Sequence, residues 1–366
     1  MDIKLLDQIL PPHTIREVLN FALITLLLTV IVLFFILILH KLLIEFAEKR
    51  RSRLRSKYSA YFRKFLLGRD GTIVRPKTRL GFEALSAFCI EKLQTSSDEE
   101  QELIKQYIRG SFIVEYYCDM AESSSMPKRF HAIKRLGNFT LEELKQYFKI
   151  RLGEEKTNEV KGAIVWAISR IADPSALDLI TQTLSTEISL SSKYNEHVYS
   201  NLIHSFKKKG IMTSFLSFME KMNADKKVPL VLKRDIIEAC GSSGLDEASR
   251  TIVDLFFAAN AHSSIKIACM RALGRLRCPE FGGVVSSALF HEDWRVRAQA
   301  AQASSRCSDG AIPHLRNLLY DDFYYVRINA AKSLSQLGEK GRAILMREMN
   351  SQDRFVRDTV RFMLRK

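Results

Sequence analysis

The sequence predicts an all-α protein in which an N-terminal transmembrane helix is followed by an α-solenoid of stacked helix pairs. Three observations predict it. Residues Val18 to Leu39 are 22 consecutive residues without a charge. The flank that follows, 41–79, holds 13 Lys and Arg against three Asp and Glu. From about residue 263 onward a short segment recurs with helical apolar spacing and a period near 30.

The uncharged run comes first. As a helix it spans about 33 Å at ~1.5 Å per residue, enough for a hydrocarbon core of about 30 Å. A secretory signal fits poorly: its apolar core is shorter, a basic segment precedes it and a small-residue cleavage site follows. Here segment 1–17 is near neutral, and Phe34 to His40 offers no such site. A buried soluble helix would have no reason to lack a polar face over this length. Basic residues resist translocation, so the Lys/Arg-rich flank predicts that the C-terminal side is cytoplasmic. The expected organisation is a short extracytoplasmic tail over 1–17, a transmembrane helix over 18–40, a basic juxtamembrane helix and linker over 41–81, and the solenoid over 82–366. The location expected is a bacterial inner membrane, with a single pass and the N-terminus outside.

The array announces itself by repetition. Asp293 to Ala301 reads DWRVRAQAA, Asp322 to Ala331 reads DFYYVRINAA, and Asp353 to Arg357 reads DRFVR, which sets Val-Arg pairs at 296, 326 and 356. Looser copies precede them around Ser264-Ile265-Lys266, Val231-Leu232-Lys233, Val160-Lys161 and Ala132-Ile133. Val326, Ala330, Leu334 and Leu337 follow helical spacing, and Gly338 is expected to end that helix with a positive φ. A second apolar helix then begins near Ala343 and a turn returns to the next Val-Arg. Neither helix of such a pair buries its stripe alone, so neighbouring pairs must stack. Nearer the anchor, Ser97 to Glu100 has the form of a capping box that starts a helix.

These residues resemble the HEAT family, in particular the short HEAT-like repeats of phycobilisome lyases. The D-x-x-V-R-x-x-A-A signature at 293–301, its longer form at 322–331, and the glycines read as ending the Val-Arg helices at 274 and 338 carry the resemblance. It covers 263–366 most fully, 128–262 more loosely and 82–127 in architecture alone. The resemblance implies an armadillo-like superhelix. It also implies a structural ladder in which Asp293, Asp322 and Asp353 pair with Arg297, Arg327 and Arg357, with Lys161, Lys233 and Lys266 in equivalent places.

Charge and composition narrow the function classes. Of the net +15, the flank at 41–79 supplies ten, so the rest of the chain is nearly balanced. The basic excess therefore points to topology and to anionic lipid headgroups rather than to nucleic acid. Headgroup contacts are expected from Lys49, Arg50, Arg51, Arg53, Arg55 and Lys57. Tyr58, Tyr61, Phe62 and Phe65 interleave with this charge as in an interfacial helix. The six cysteines form no C-x-x-C pair and read as small apolar residues of a reducing compartment. The eight histidines are scattered, and no metal-ligand spacing, glycine-rich phosphate loop or nucleophile motif is found, so no metal, cofactor or catalytic residue is expected.

The candidate partner surface is the polar stripe of the Val-Arg helices: Arg271, Arg275, Gln299, Gln302, Arg306, Asn329 and Lys332. Most of the aromatic residues Trp294, Phe323, Tyr324, Tyr325 and Phe355 in the first turns are expected as packing groups, with Tyr324 or Tyr325 an exposed anchor, Tyr325 being the one counted with the partner surface. The expected function is a membrane-anchored scaffold that binds and regulates a partner protein at the cytoplasmic face. The resemblance extends the partner to a membrane enzyme such as a polysaccharide glycosyltransferase. A lyase-type enzyme and an anionic-lipid sensor built on 41–79 are the alternatives.

Overall fold

The computed structural model describes residues 12–66, 73–171, 174–186, 191–307 and 309–365. Among these residues the regular structure is α-helix with three short 3-10 turns and no strand. The chain divides into two compact units, Met1–Tyr116 and Tyr117–Lys366. Most of the expected tail, 1–11, lies outside the described residues, as do 67–72 with Arg69 and Asp70.

In the first unit, α1 (Pro12–Leu66) is a single helix of 55 residues, so the uncharged run and the basic flank are one continuous rod. The side chains of Val18 to Leu39 are exposed along all of it, and the helix is long and apolar enough to cross a membrane. The chain then turns back into α2 (Arg79–Thr95) and α3 (Asp98–Gly110). Thr78 caps α2 by accepting from the Gly81 N–H at 3.2 Å. Ser97 and Glu100 form the expected capping box.

The aromatic residues of the flank depart from the interfacial-helix expectation. Tyr58 and Phe62 are buried, and Phe62 meets Phe88 and Tyr107 edge-on at 5.6 and 5.4 Å, with Phe65 at 5.3 Å from Tyr107. These rings belong to the core of the unit, because α2 and α3 fold back onto α1 and offer them an apolar face. Residues 82–110 thus pack with the long N-terminal helix inside the first unit.

After α4 (Ile113–Ala121), the second unit alternates two kinds of helix. In order they are α5 (Met126–Phe139), α6 (Leu144–Glu154), α7 (Asn158–Arg170), α8 (Pro174–Thr186), α9 (Ser192–Lys209), α10 (Met212–Ala224), α11 (Leu230–Ser242) and α12 (Ser249–Phe257). Then come α13 (Ser263–Leu276), α14 (Phe281–Ala288), α15 (Trp294–Ala303), α16 (Ile312–Leu318), α17 (Tyr324–Gln336), α18 (Gly338–Glu348) and α19 (Arg354–Leu364). The Val-Arg pairs lie on α15, α17 and α19, and the looser copies on α5, α7, α11 and α13. Each odd-numbered helix packs on the next odd helix, so α5 to α19 form one continuous layer with the even helices beside it.

Small residues make that layer possible. Val296, Val326 and Val356 are fully buried, as are Ala300, Ala301, Ala330 and Ala331. Burying each valine contributes about 2 kcal/mol. At Gly241 a Cβ would stand 2.6 Å from the Ala272 Cα, and at Gly137 one would stand 2.7 Å from the Ala167 Cβ. Neighbouring odd helices thus touch backbone to backbone.

The two glycines read as helix stops differ. Gly338 has φ +73°, as expected, and separates α17 from α18. Gly274 lies inside α13, which runs on to Leu276 and is capped by Arg277. Gly274 instead leaves room for the Phe281 ring, which would come within 3.0 Å of a Cβ there. Contact, not chain direction, is what requires it.

Candidate functional site

The arginine of each Val-Arg pair builds the connection between repeats, though not with the acids expected. Arg297 donates through Nε and Nη2 to Asp321 of the following repeat at 2.7 and 3.1 Å, and through Nη1 to the His291 and Glu292 carbonyls at 2.8 Å each. Arg327 reaches back to the Asp321 and Asp322 carbonyls at 2.7 and 2.9 Å, and its guanidinium lies 5.1 Å from the Phe355 ring centre with no acid paired to it. Arg357 reaches back to the Ser351 carbonyl at 2.9 Å.

The aspartates of the expected ladder serve differently. Asp293 and Asp353 cap α15 and α19 by accepting from the N–H groups of Arg295 and Phe355. Hydrogen bonds from the Arg295 side chain hold the Asp293 carboxyl well below the usual range against the opposing effect of burial. Asp322 offers only its carbonyl. The physical reason is that each arginine side chain points back toward the N-terminus of its helix, where its donors meet the carbonyls of the preceding loop, while Asp293 and Asp353 are already engaged as caps.

A fourth arginine of the same kind escaped the sequence reading. Arg129 in α5 donates to the Ser123 and Ser124 carbonyls at 3.1 and 2.9 Å and grips both oxygens of Glu155 at 2.9 and 3.0 Å. Burial would raise the Glu155 carboxyl, but the bonds from Arg129 and from the Thr157 N–H outweigh it and bring the group down to about 2. The signal available was an arginine three residues before Ala132-Ile133, without the valine that marks later copies.

The polar stripe gathers into a cleft. Arg271, Arg275, Gln299, Gln302, Arg306 and Lys332, drawn from α13, α15, the 3-10 turn after α15, and α17, line one pocket of about 460 Å³. Phe281, Ser305 and Gln336 join them there. Arg271 donates to Gln299 at 2.9 Å, which ties α13 to α15. Glu238 of α11 accepts from Arg275 at 2.7 Å and stands 3.6 Å from Arg271. Arg306 and Lys332 pair with no acid among the described residues. The cleft therefore keeps a surplus of positive charge with amide groups beside it.

A second pocket, of about 790 Å³, shares Arg275, Phe281 and Arg306 with the first and adds Arg277, Cys278 and Cys307. Arg277 holds φ +54°. A non-glycine residue there costs roughly 1 kcal/mol, and at the matching end of α17 the chain uses Gly338. An exposed arginine thus occupies a backbone position that favours glycine, at the mouth of a basic cleft.

The remaining stripe residue, Asn329, and the anchor Tyr325 stand apart from the cleft. Asn329 donates to the Ala298 carbonyl at 3.0 Å and so joins α17 to α15. Tyr325 stacks on Trp294 at 5.9 Å while 62% exposed, and Phe323 stacks on the same indole at 5.1 Å. In the first unit Lys49, Arg50, Arg53 and Lys57 are exposed. Arg51 lies 3.7 Å from Glu83 and Arg55 pairs with Glu91, so these two partly face protein carboxylates.

All six cysteines are free, and burial pushes the Cys278 and Cys307 thiols up, away from the reactive thiolate. Among the described residues no cluster of three or more His, Cys, Asp or Glu could hold a metal ion.

The family model for HEAT repeats matches residues 285–365. No curated protein matches the chain in sequence. Among solved structures, the chain is similar to the Escherichia coli protein YibA, with 12% identity, TM-score 0.41, and 80% of this chain and 99% of that one covered. It is similar to the CpcE–CpcF complex of phycocyanin lyase from Nostoc, with 16% identity, TM-score 0.26, and 76% and 93% covered. It is also similar to human deoxyhypusine hydroxylase, with 13% identity, TM-score 0.29, and 86% and 96% covered. Superpositions this partial carry no functional information.

Proposed function

We propose that this protein is a membrane-anchored scaffold whose basic cleft holds an acidic segment of a membrane-associated partner protein on the cytoplasmic side. The observation that carries the reading is the cleft itself. Three successive odd-numbered helices, α13, α15 with its 3-10 turn, and α17, bring Arg271, Arg275, Arg306 and Lys332 to one pocket, and Glu238 engages only the first two. Free cations beside amide groups suit carboxylate recognition, with arginine offering two parallel donors to one carboxylate. Tyr325 and Trp294 supply an aromatic ridge on the same repeats, the residue types that anchor protein interfaces.

The long apolar helix supports the membrane part. Its uncharged run meets the span requirement, and the Lys/Arg excess on its C-terminal side supports the cytoplasmic placement of the array. Tethering raises the effective concentration of a membrane partner with no added contact. The role is binding rather than catalysis.

The test is site-specific photo-crosslinking in intact cells from position 302, in full-length protein. A defined crosslinked partner is expected in the membrane fraction, and the double substitution Arg306→Glu with Lys332→Glu is expected to reduce it at least tenfold without change in expression. An undiminished crosslink in the double variant would place the interface elsewhere.

A further inference from the structure

A second cluster of cations lies in the same layer, at the other end of the array. Lys134 of α5 sits with Nζ 3.1 Å from the centre of the Trp166 ring on α7, and the Arg170 guanidinium lies 5.1 Å from that centre. Arg170 donates through Nε to the Gly137 carbonyl at 3.1 Å. The indole N–H of Trp166 donates to Nε2 of His197 on α9 at 3.3 Å, which requires that nitrogen to be unprotonated. Trp166 is buried, Lys134 and Arg170 are half-buried, and His197 is exposed, so the group opens to solvent at one side.

The arrangement is built rather than incidental. A Cβ at position 137 would stand 2.8 Å from Trp166 Cζ3, so the bare glycine is what lets the indole lie against α5 beneath Lys134. No carboxylate among the described residues pairs with Lys134 or Arg170. Elsewhere in the unit Arg129 is answered by Glu155 and Arg297 by Asp321, while Arg327 and Lys266, each beside a single ring, are answered by backbone carbonyls; among the described residues only here do two cations share one ring. Two half-buried cations sharing one aromatic ring repel each other and lose hydration, which the ring compensates only in part. Burial and then the Arg170 charge bring Lys134 down to about 8, and burial with both neighbouring cations lowers His197.

We infer that Lys134 and Arg170, seated on Trp166, form an oxyanion-binding site that takes a phosphate or carboxylate group. The ammonium and the free edge of the guanidinium supply charge-assisted donors, and the indole fixes both against the layer. The anion comes either from solution as a free oxyanion or from an acidic side chain of a bound protein. The inference does not depend on the cleft around Arg306.

The experiment uses full-length protein with Trp294→Phe, which leaves Trp166 as the sole tryptophan of the two in the chain. Inorganic phosphate is titrated against chloride at matched ionic strength, and a glutamate-rich peptide is titrated in parallel. The expected results are a saturable change in Trp166 emission and, at pH 8, at least threefold slower acetylation of Lys134 read by peptide mass mapping. Exposed Lys193 in the same samples should be unaffected. Arg170→Gln is expected to weaken the effective ligand about tenfold. The Lys134 protection is also measured in the unsubstituted protein, so the outcome does not hang on a variant folding. Protection by phosphate assigns a free-anion site, and protection by the peptide alone assigns a site for a partner's carboxylate. If neither probe alters Trp166 emission or Lys134 acetylation, the cluster is aromatic packing and the inference is wrong.

Discussion

The two ends of the repeat array solve the same packing problem with different residues. At the N-terminal end, α5 to α9 fill the core with large rings, Phe139, Phe148, Tyr199 and Phe206, all fully buried. At the C-terminal end, α15 to α19 fill it with valine, alanine and leucine and, among the described residues, no fully buried ring. The arginine that reaches back five and six residues is present at both, as Arg129 and as Arg297, Arg327 and Arg357, yet its acid partner fades along the chain. Glu155 and Asp321 answer the first two, and at the last junction Ser351 stands where an acid would be. What is constant is the hook on the preceding loop. The hook fixes the turn between repeats, whereas the acid is an addition that does not follow enclosure: Arg327, the most buried of the four, does without one among the described residues.

The largest expected effect breaks the backbone contact that both ends share. Gly241→Val should destabilise the second unit by about 4 kcal/mol, because the new Cβ meets main-chain atoms that cannot move aside. Gly274→Ala, facing a ring that can tilt, should cost far less. Urea unfolding followed by circular dichroism measures both, and equal losses would show that the close approach is not the governing contact.

Next in size is the acid that separates the two ends. Glu155→Gln should cost about 3 kcal/mol at neutral pH, since it leaves Arg129 half-buried without its charge partner. Arg327→Ala, with no acid to strand, should cost about 1 kcal/mol. The pH dependence follows from the depressed carboxyl. Glu155 falls from its ordinary 4.5 to about 2, so its stabilisation is complete above about 4.5 and is lost as pH drops toward 2. The gap between the parent protein and Glu155→Gln should therefore narrow over that window, and a gap independent of pH would remove the ion pair as its cause.

The smallest effect has the opposite sign. Arg277→Gly should stabilise the protein by about 1 kcal/mol by relieving the left-handed backbone, and it should weaken partner capture at the cleft. A variant that is no more stable would show that the arginine side chain offsets its own strain through contacts within the fold.

Much of this was legible in the residues, for reasons that differ by region. Helical periodicity and the Val-Arg signature report burial along one helix at a time, so α15, α17 and α19 were readable where the core is small and regular. The N-terminal copies were faint because aromatic cores tolerate many arrangements and leave no fixed spacing. Six stripe residues could be named as outward-facing from helical phase alone, but that three helices bring them around one pocket could not. Glu238, thirty-three and thirty-seven residues before its partners, carried no local mark of its role. Neither did Lys134 and Trp166, which are ordinary residues until Gly137 lets one helix lie against the next.

By itself the sequence determined the all-helical class, the long apolar helix and the stacking of pairs. Those properties follow from periodicity and length, which act through neighbours along the chain. Only the tertiary structure decided which acid answers which arginine, that Tyr58 and Phe62 form a core instead of an interfacial surface, and where the cations are left unanswered. These outcomes depend on distances between segments more than twenty residues apart, and a charge or a ring has no preference among such partners until backbone packing has chosen them.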